Sequence, residues 1–150
     1  MTQPQAAQLE DRDAILRVLA AAGLPTSDLL DGATVDFLVV RDGMHVVGVV
    51  GLEYAGAHAL LRSLAVHPDA RDRGLGHELV DAIQKHAIAQ GIMTLHLLTT
   101  TAADYFSRRG YRRVDRTEVP DDIQRTAQFA GLCPASAVVM VKELPTLKDR

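Results

Sequence analysis

Arg71, Arg73, Gly74 and Gly76 fall within six residues of one another, in the stretch HPDARDRGLGHELV at 67–80. An apolar, strand-like run precedes them and an apolar, helix-like run follows. The backbone N–H groups of about residues 72–77, covering Asp72, Leu75 and His77 as well, would then stand at the first turn of a helix. There they lack intrahelical partners and point out along its positive end. Gly74 and Gly76 remove the Cβ atoms that would hold a ligand off the backbone, while Arg71 and Arg73 add charge and forked donors suited to phosphate oxygens. The expected ligand is a diphosphate; the plainer alternative is an ordinary strand-to-helix turn with surface arginines. G-x-x-x-x-G-K-[ST] is absent, and G-x-G-x-x-G fails because Leu79 stands at the third glycine. What fits is [QR]-x-x-G-x-[GA], as Arg71, Gly74 and Gly76.

The elements around this loop alternate. Ile15, Leu16, Leu19 and Ala22 lie at helical spacing behind Glu10, Asp11 and Asp13, and AGLP at 22–25 closes that helix. ATVDFLVVR and MHVVGVVGLE flank Asp42-Gly43, a short-hairpin signal. ALLRSLAVH is a third strand, stopped by Pro68. Leu75, Leu79, Ile83 and Ala87 share one helical face, with Gly91 as the stop. MTLHLLT is a buried strand, and Thr101 with Asp104 gives a capping-box start to a short helix ending at Gly110. YRRVDR, a polar helical patch around 121–130, the loop GLCPAS and the strand AVVMVKEL follow. The order predicts an α/β fold, a single domain over 1–150 with its core at about 9–144, built on a mixed, mostly antiparallel central sheet flanked by helices. Arg62 is the anomaly in that pattern. A charge inside LLRSLAV is expensive unless paired, so either Glu53 satisfies it across the hairpin or it faces a cavity, and one residue of register decides which.

With 150 residues, 47% hydrophobic, the chain is long enough for one core without staples. Its formal charge of −3 and pI near 6.0 lack the basic excess of a nucleic-acid or anionic-membrane surface. The single cysteine, Cys133, excludes an internal disulfide framework, and the start MTQPQAAQLEDRD has neither a basic n-region nor an apolar h-region. These features predict a soluble cytoplasmic protein with a small-molecule partner, and leave a homodimer open. The six histidines show no i, i+4 pairing, so no metal site is expected.

Read whole, LLRSLAVHPDARDRGLGHELVDAIQKHA resembles the acetyl-coenzyme A binding region of the GNAT superfamily of N-acetyltransferases. A second region agrees: where those enzymes show N-x-x-A-x-x-x-Y-x-x-x-G-F, this chain has Thr99, Ala102, Phe106, Gly110 and Tyr111 at the same spacing. LLTTTAADYFSRRGYRRVDR, FAGLCPASAVVM and LLRSLAV are most similar to arsenic-resistance N-acetyltransferases, and next to the acetyltransferase part of bacterial glutamate N-acetyltransferases.

The resemblance implies acetyl transfer from acetyl-coenzyme A to an amine, without a metal. It implies that backbone N–H groups near Leu64, Ala65 and Val66 hold the pantetheine arm and the acetyl carbonyl. The tyrosine that faces the leaving sulfur is replaced by Phe106 and the asparagine by Thr99. Tyr105 is adjacent but about 100° around the helix, and is the remaining candidate acid. A carboxylate near the amine would take its proton, and Glu53, just before a turn, is best placed; the alternative is a solvated strand-end glutamate. Arg62, Thr99 and Thr100 would present donors to an acceptor bearing a carboxylate beside its amine, with Cys133 at the acceptor mouth or else a small buried hydrophobe. The acceptor expected is a small amino acid or a glutamate-like analogue, tested first with arsenic- or phosphorus-bearing compounds. The rival function is a coenzyme A binding module that acts through a protein partner.

Overall fold

The structure, a computed structural model, describes residues 2–30, 34–71, 73–132 and 136–146. Two residues singled out above, Asp72 and Cys133, lie outside these. Seven strands form one mixed sheet in the order β1-β2-β3-β4-β5-β7-β6. They are β1 (Gln5–Ala6), β2 (Val35–Asp42), β3 (His45–Ala55), β4 (His58–Val66), β5 (Thr94–Thr99), β6 (Arg112–Val114) and β7 (Val138–Glu143). β1–β2, β2–β3, β5–β7 and β6–β7 pair antiparallel, and β4–β5 pair parallel, as a helical crossover requires. No helix among the described residues is long and apolar enough to cross a membrane.

Packing divides the chain into two compact units. The first comprises Met1–Glu53 and Leu61–His86. It holds α1 (Arg12–Ala21), α2 (Ser27–Leu30) and most of α3 (Leu75–Ala89). α1 sends Ile15, Val18 and Leu19 into a cluster with Val39, Val46, Val49 and Ala65. Burying each large aliphatic side chain contributes roughly 1.5–3 kcal/mol, which is what holds this short helix on the sheet.

β4 has an irregularity that the sequence hides. Ser63 has φ 59°, in the left-handed region that non-glycine residues avoid. On one side of it, the Arg62 stem lies where a Cβ on Gly51 would point, 3.4 Å away. On the other, Ala65 joins the α1 cluster with Val49. Val49 and Gly51 share a face by strand alternation, so Arg62 and Ala65, three residues apart, must share it too. That odd spacing is achieved only if Ser63 re-phases the strand, as a bulge does.

The second unit comprises Tyr54–Leu60 and Ala87–Arg150. It contains the β4–β5 register from His58↔Thr94 to Leu60↔His96, strands β5, β7 and β6, and α4 (Ala103–Arg108) and α5 (Asp121–Gln124). The segment from Arg116 to Ala137 is tied at its ends by a hydrogen bond from Arg116 Nη2 to the Ala137 carbonyl, 3.1 Å. Within it Val119 and Ile123 pack on Ala55, Leu60 and Val139.

The start of α4 corrects one expectation. Its N-cap is Ala102, with no side-chain cap from Thr101 or Asp104. Thr99 Oγ1 does that work instead, accepting the N–H of Ala102 at 2.9 Å and of Thr101 at 3.4 Å. Two elements that the sequence pattern did not show are β1 and α2, both too short to carry a period.

Candidate active site

The glycine-rich loop lies wholly in the first unit. Gly74 has φ 75°, and its carbonyl accepts the N–H of Glu78 at 3.1 Å, so it is the residue that opens α3. A side chain at that φ would be strained. A Cβ built at Gly74 or at Gly76 would meet nothing within 4 Å, so the backbone there is open to a ligand. Arg71 and Arg73 are exposed and lightly tethered, Arg71 Nε to the Val66 carbonyl at 3.3 Å and Arg73 Nη2 to the Asp69 carbonyl at 3.4 Å. Leu75 is buried and anchors the helix start, Gly76 is half-buried, and His77 is exposed, 3.2 Å from Asp81 one turn on. Leu64 and Val66 are half-buried and Ala65 is buried, beyond the end of the β4–β5 register at Leu60↔His96. The loop thus joins a glycine-opened helix start to two exposed arginines.

Glu53 and Arg62 are brought together, and a third residue joins them. The Arg62 side chain has no exposed surface, and the Glu53 side chain is 8% exposed. Arg62 Nη1 donates to Glu53 Oε1 at 2.8 Å and to Asp28 Oδ2, Nη2 donates to Asp28 Oδ1 at 2.8 Å, and Nε donates to Ser63 Oγ at 3.2 Å. Burial acts to lower the Arg62 pKa, but the hydrogen bonds and charges of Asp28 and Glu53 outweigh it and hold the guanidinium above its ordinary value. Two expectations change. Arg62 does not offer its donors to an acceptor, because they are committed to carboxylates inside the fold. Glu53 is no solvated strand-end residue, because it faces Arg62 from within β3. Asp28 was missed; its only signal is an acidic residue in the first turn of a four-residue helix.

The remaining candidates lie in the second unit. Phe106 is 5% exposed and stacks edge-to-face on Tyr111, with ring centroids 5.3 Å apart, so it is a core aromatic. The Tyr105 ring lies under Arg109, 4.9 Å from guanidinium carbon to centroid, and its hydroxyl oxygen is enclosed. Thr99 is half-buried with its hydroxyl engaged at the start of α4, and Thr100 is exposed. Among the described residues no group of three or more His, Cys, Asp or Glu side chains could hold a metal ion. A groove of about 500 Å³ in the first unit is lined by residues that include Ala7, Leu9, Leu16, Leu29 and Phe37, and by none of the candidates.

The family described as acetyltransferase (GNAT) domain matches residues 33–113. The amino-acid acetyltransferase of Haemophilus ducreyi is 34% identical over 89 residues, 59% of this chain and 20% of that protein. That of Pseudomonas fluorescens (strain Pf0-1) is 40% identical over 75 residues, 49% of this chain and 17% of that protein. The chain thus spans about a fifth of the length of these curated relatives. Among solved structures, a Mycobacterium tuberculosis protein in complex with CoA and NLQ superposes with a TM-score of 0.79 at 20% identity, covering 96% of this chain and all of that one. N-acetylglutamate synthase from Neisseria gonorrhoeae, complexed with coenzyme A and L-arginine, superposes at 0.74 and 21% identity, over 94% of this chain and 32% of that one. With the family match extending over more than half of its residues, from the sheet through the glycine-rich loop and α4, the chain belongs to the GNAT acetyltransferase family.

Proposed function

We propose that the protein transfers acetyl from acetyl-coenzyme A to the amine of a small amino acid or amino-acid analogue. The observation that carries the reading is that one compact unit contains both the open glycine start of α3 and a buried carboxylate, Glu53, with one oxygen left for chemistry. Arg71, Arg73 and the N–H groups of residues 73–77 would hold the diphosphate, and those of Leu64, Ala65 and Val66 the pantetheine arm and acetyl carbonyl. Acetyl-coenzyme A supplies an activated thioester.

Glu53 takes a proton from the acceptor's ammonium group, and the freed lone pair forms the N–C bond at the thioester carbon. The nitrogen releases its second proton to solvent, the C–S bond breaks, and the sulfur leaves as thiolate, tolerable for a thiol with pKa near 8.5, before solvent protonates it. No dedicated acid is needed, which suits a chain with Phe106 at that position and the Tyr105 hydroxyl enclosed. Relatives named amino-acid acetyltransferases and the N-acetylglutamate synthase likeness favour a glutamate-like acceptor. Arsenic- or phosphorus-bearing glutamate analogues come first in the panel on the subfamily resemblance.

Thiol release from acetyl-coenzyme A with a panel of amines tests the reading. Saturable turnover above the hydrolysis blank is expected, and its absence would favour a coenzyme A binding module. Glu53→Gln should lower turnover by about 10² to 10⁴-fold at neutral pH, with much of the loss recovered at high pH where the amine deprotonates unaided. A change under about threefold would remove Glu53 from the proton path.

A further inference from the structure

We infer that Asp28 and Arg62 are a positioning pair that fixes the charge and orientation of Glu53, so that the acceptor is received as an ammonium ion. The inference rests on the acetyltransferase reading above. Its observation is an imbalance: two buried carboxylates share one buried guanidinium. No other ion pair involves these three residues among those described, and Ser63 adds only a hydroxyl. Neutralising a buried arginine needs a single carboxylate, and a second one without its own cation carries a desolvation cost. A structural pair would have no use for it. A site that must attract and orient a protonated amine would.

The sharing is also unequal. Asp28 takes both ends of the guanidinium fork, a bidentate grip that fixes the plane of Arg62. Glu53 receives a single hydrogen bond at Oε1 from Nη1. Glu53 Oε2 accepts none among the described residues, although the residue is only 6% exposed. Oε2 is not among the enclosed polar atoms, so the small exposure of the Glu53 side chain leaves this oxygen open, and an incoming N–H⁺ can reach it there. The proton moves from the ammonium nitrogen to Oε2, and the neutral amine then attacks the thioester carbon as above. Asp28 and Arg62 do not touch the reacting atoms; they keep Oε1 occupied, Oε2 available and the group one charge negative.

The test uses initial rates against the amine at saturating acetyl-coenzyme A. Asp28→Asn keeps the size of the side chain and one of its two acceptors, and removes the surplus charge. It should lower kcat/KM for the amine by about 10-fold or more, the size expected for a charged hydrogen-bond arrangement, while KM for acetyl-coenzyme A stays within about twofold. Asp28→Glu, which restores the charge, should recover part of the loss. In a Glu53→Gln background the same Asp28→Asn change should cost less than about twofold, because residues that act through one another are not additive.

An Asp28→Asn protein equal to wild type, or one that loses as much with Gln at 53 as with Glu, overturns the pair. If Asp28→Asn fails to melt cooperatively, the wild-type enzyme still decides. The alcohol that replaces the acceptor's amine with a hydroxyl should compete about 10-fold more weakly than the acceptor binds, and equal competition overturns the pair. A wild type inert with every amine defeats the acetyltransferase reading and this inference together, whereas an active wild type with an indifferent Asp28→Asn defeats the pair alone.

Discussion

At the scale of single residues, Arg62 shows how a charge inside a strand is resolved. The expense of burying it was readable from LLRSLAV, but Glu53 as its partner was only one of two outcomes, with the register left to decide. Asp28 was not readable, because its placement depends on where a four-residue helix settles, which no local pattern encodes. Gly51 makes the arrangement possible: a Cβ there would stand 3.0 Å from Phe37 Cε1 and Val35 Cγ1 and 3.4 Å from Arg62 Cγ. Gly76 is the opposite case, glycine with open space around it. Gly76→Val should therefore leave the protein folded, since valine has the higher helix propensity of the two, yet strongly weaken coenzyme A binding, because the branched side chain occupies the space the diphosphate needs. Unchanged affinity by calorimetry would refute the anion site. The place of that loop at the start of α3 was legible because it is marked by residue types at fixed spacing, independent of tertiary packing.

At the scale of elements, the strands and the long helix follow their periodic apolar residues, and the mixed topology follows from two hairpin-like turns before one crossover. The bulge in β4 escaped because Ser63 sits in a run whose composition is that of a regular strand. The capping of α4 was misread because Thr99, Thr100 and Thr101 offer three adjacent hydroxyls, and which one faces the helix start depends on where β5 ends. The bulge can be probed directly. Ser63→Gly, free of the left-handed penalty but without the hydroxyl that accepts from Arg62 Nε, should keep stability within about 1 kcal/mol. Ser63→Val, branched at Cβ, should lose about 1–3 kcal/mol in chemical denaturation. Equal stability of the two variants would mean that the strand can re-phase without that conformation.

At the scale of the whole molecule, stability should fall in mild acid through one histidine. His96 in β5 is 4% exposed, its Nδ1 is enclosed without a hydrogen-bond partner among the described residues, and its ring meets that of His58 edge-on at 6.0 Å. Burial, then the charges of His58 and Arg112, lower its pKa to about 4. The unfolded chain takes up this proton near pH 6.5 while the folded one refuses it until about 4. The associated stability is complete above about pH 6.5 and is lost as pH falls toward 4, by up to roughly 3 kcal/mol. Urea denaturation at several pH values should show that loss shrinking in His96→Leu relative to wild type, and parallel pH profiles would refute it. The strand that carries His96 also has a history during synthesis. One edge of β5 pairs with β4, but its other edge and β6 both take their hydrogen bonds from β7, which is made after all three. At about 5–20 residues per second, the emerging chain therefore holds Leu95 and Leu97 on an open strand edge for a few seconds before the last strand slides between its two partners. Any nascent-chain aggregation or need for a chaperone should be concentrated in that interval.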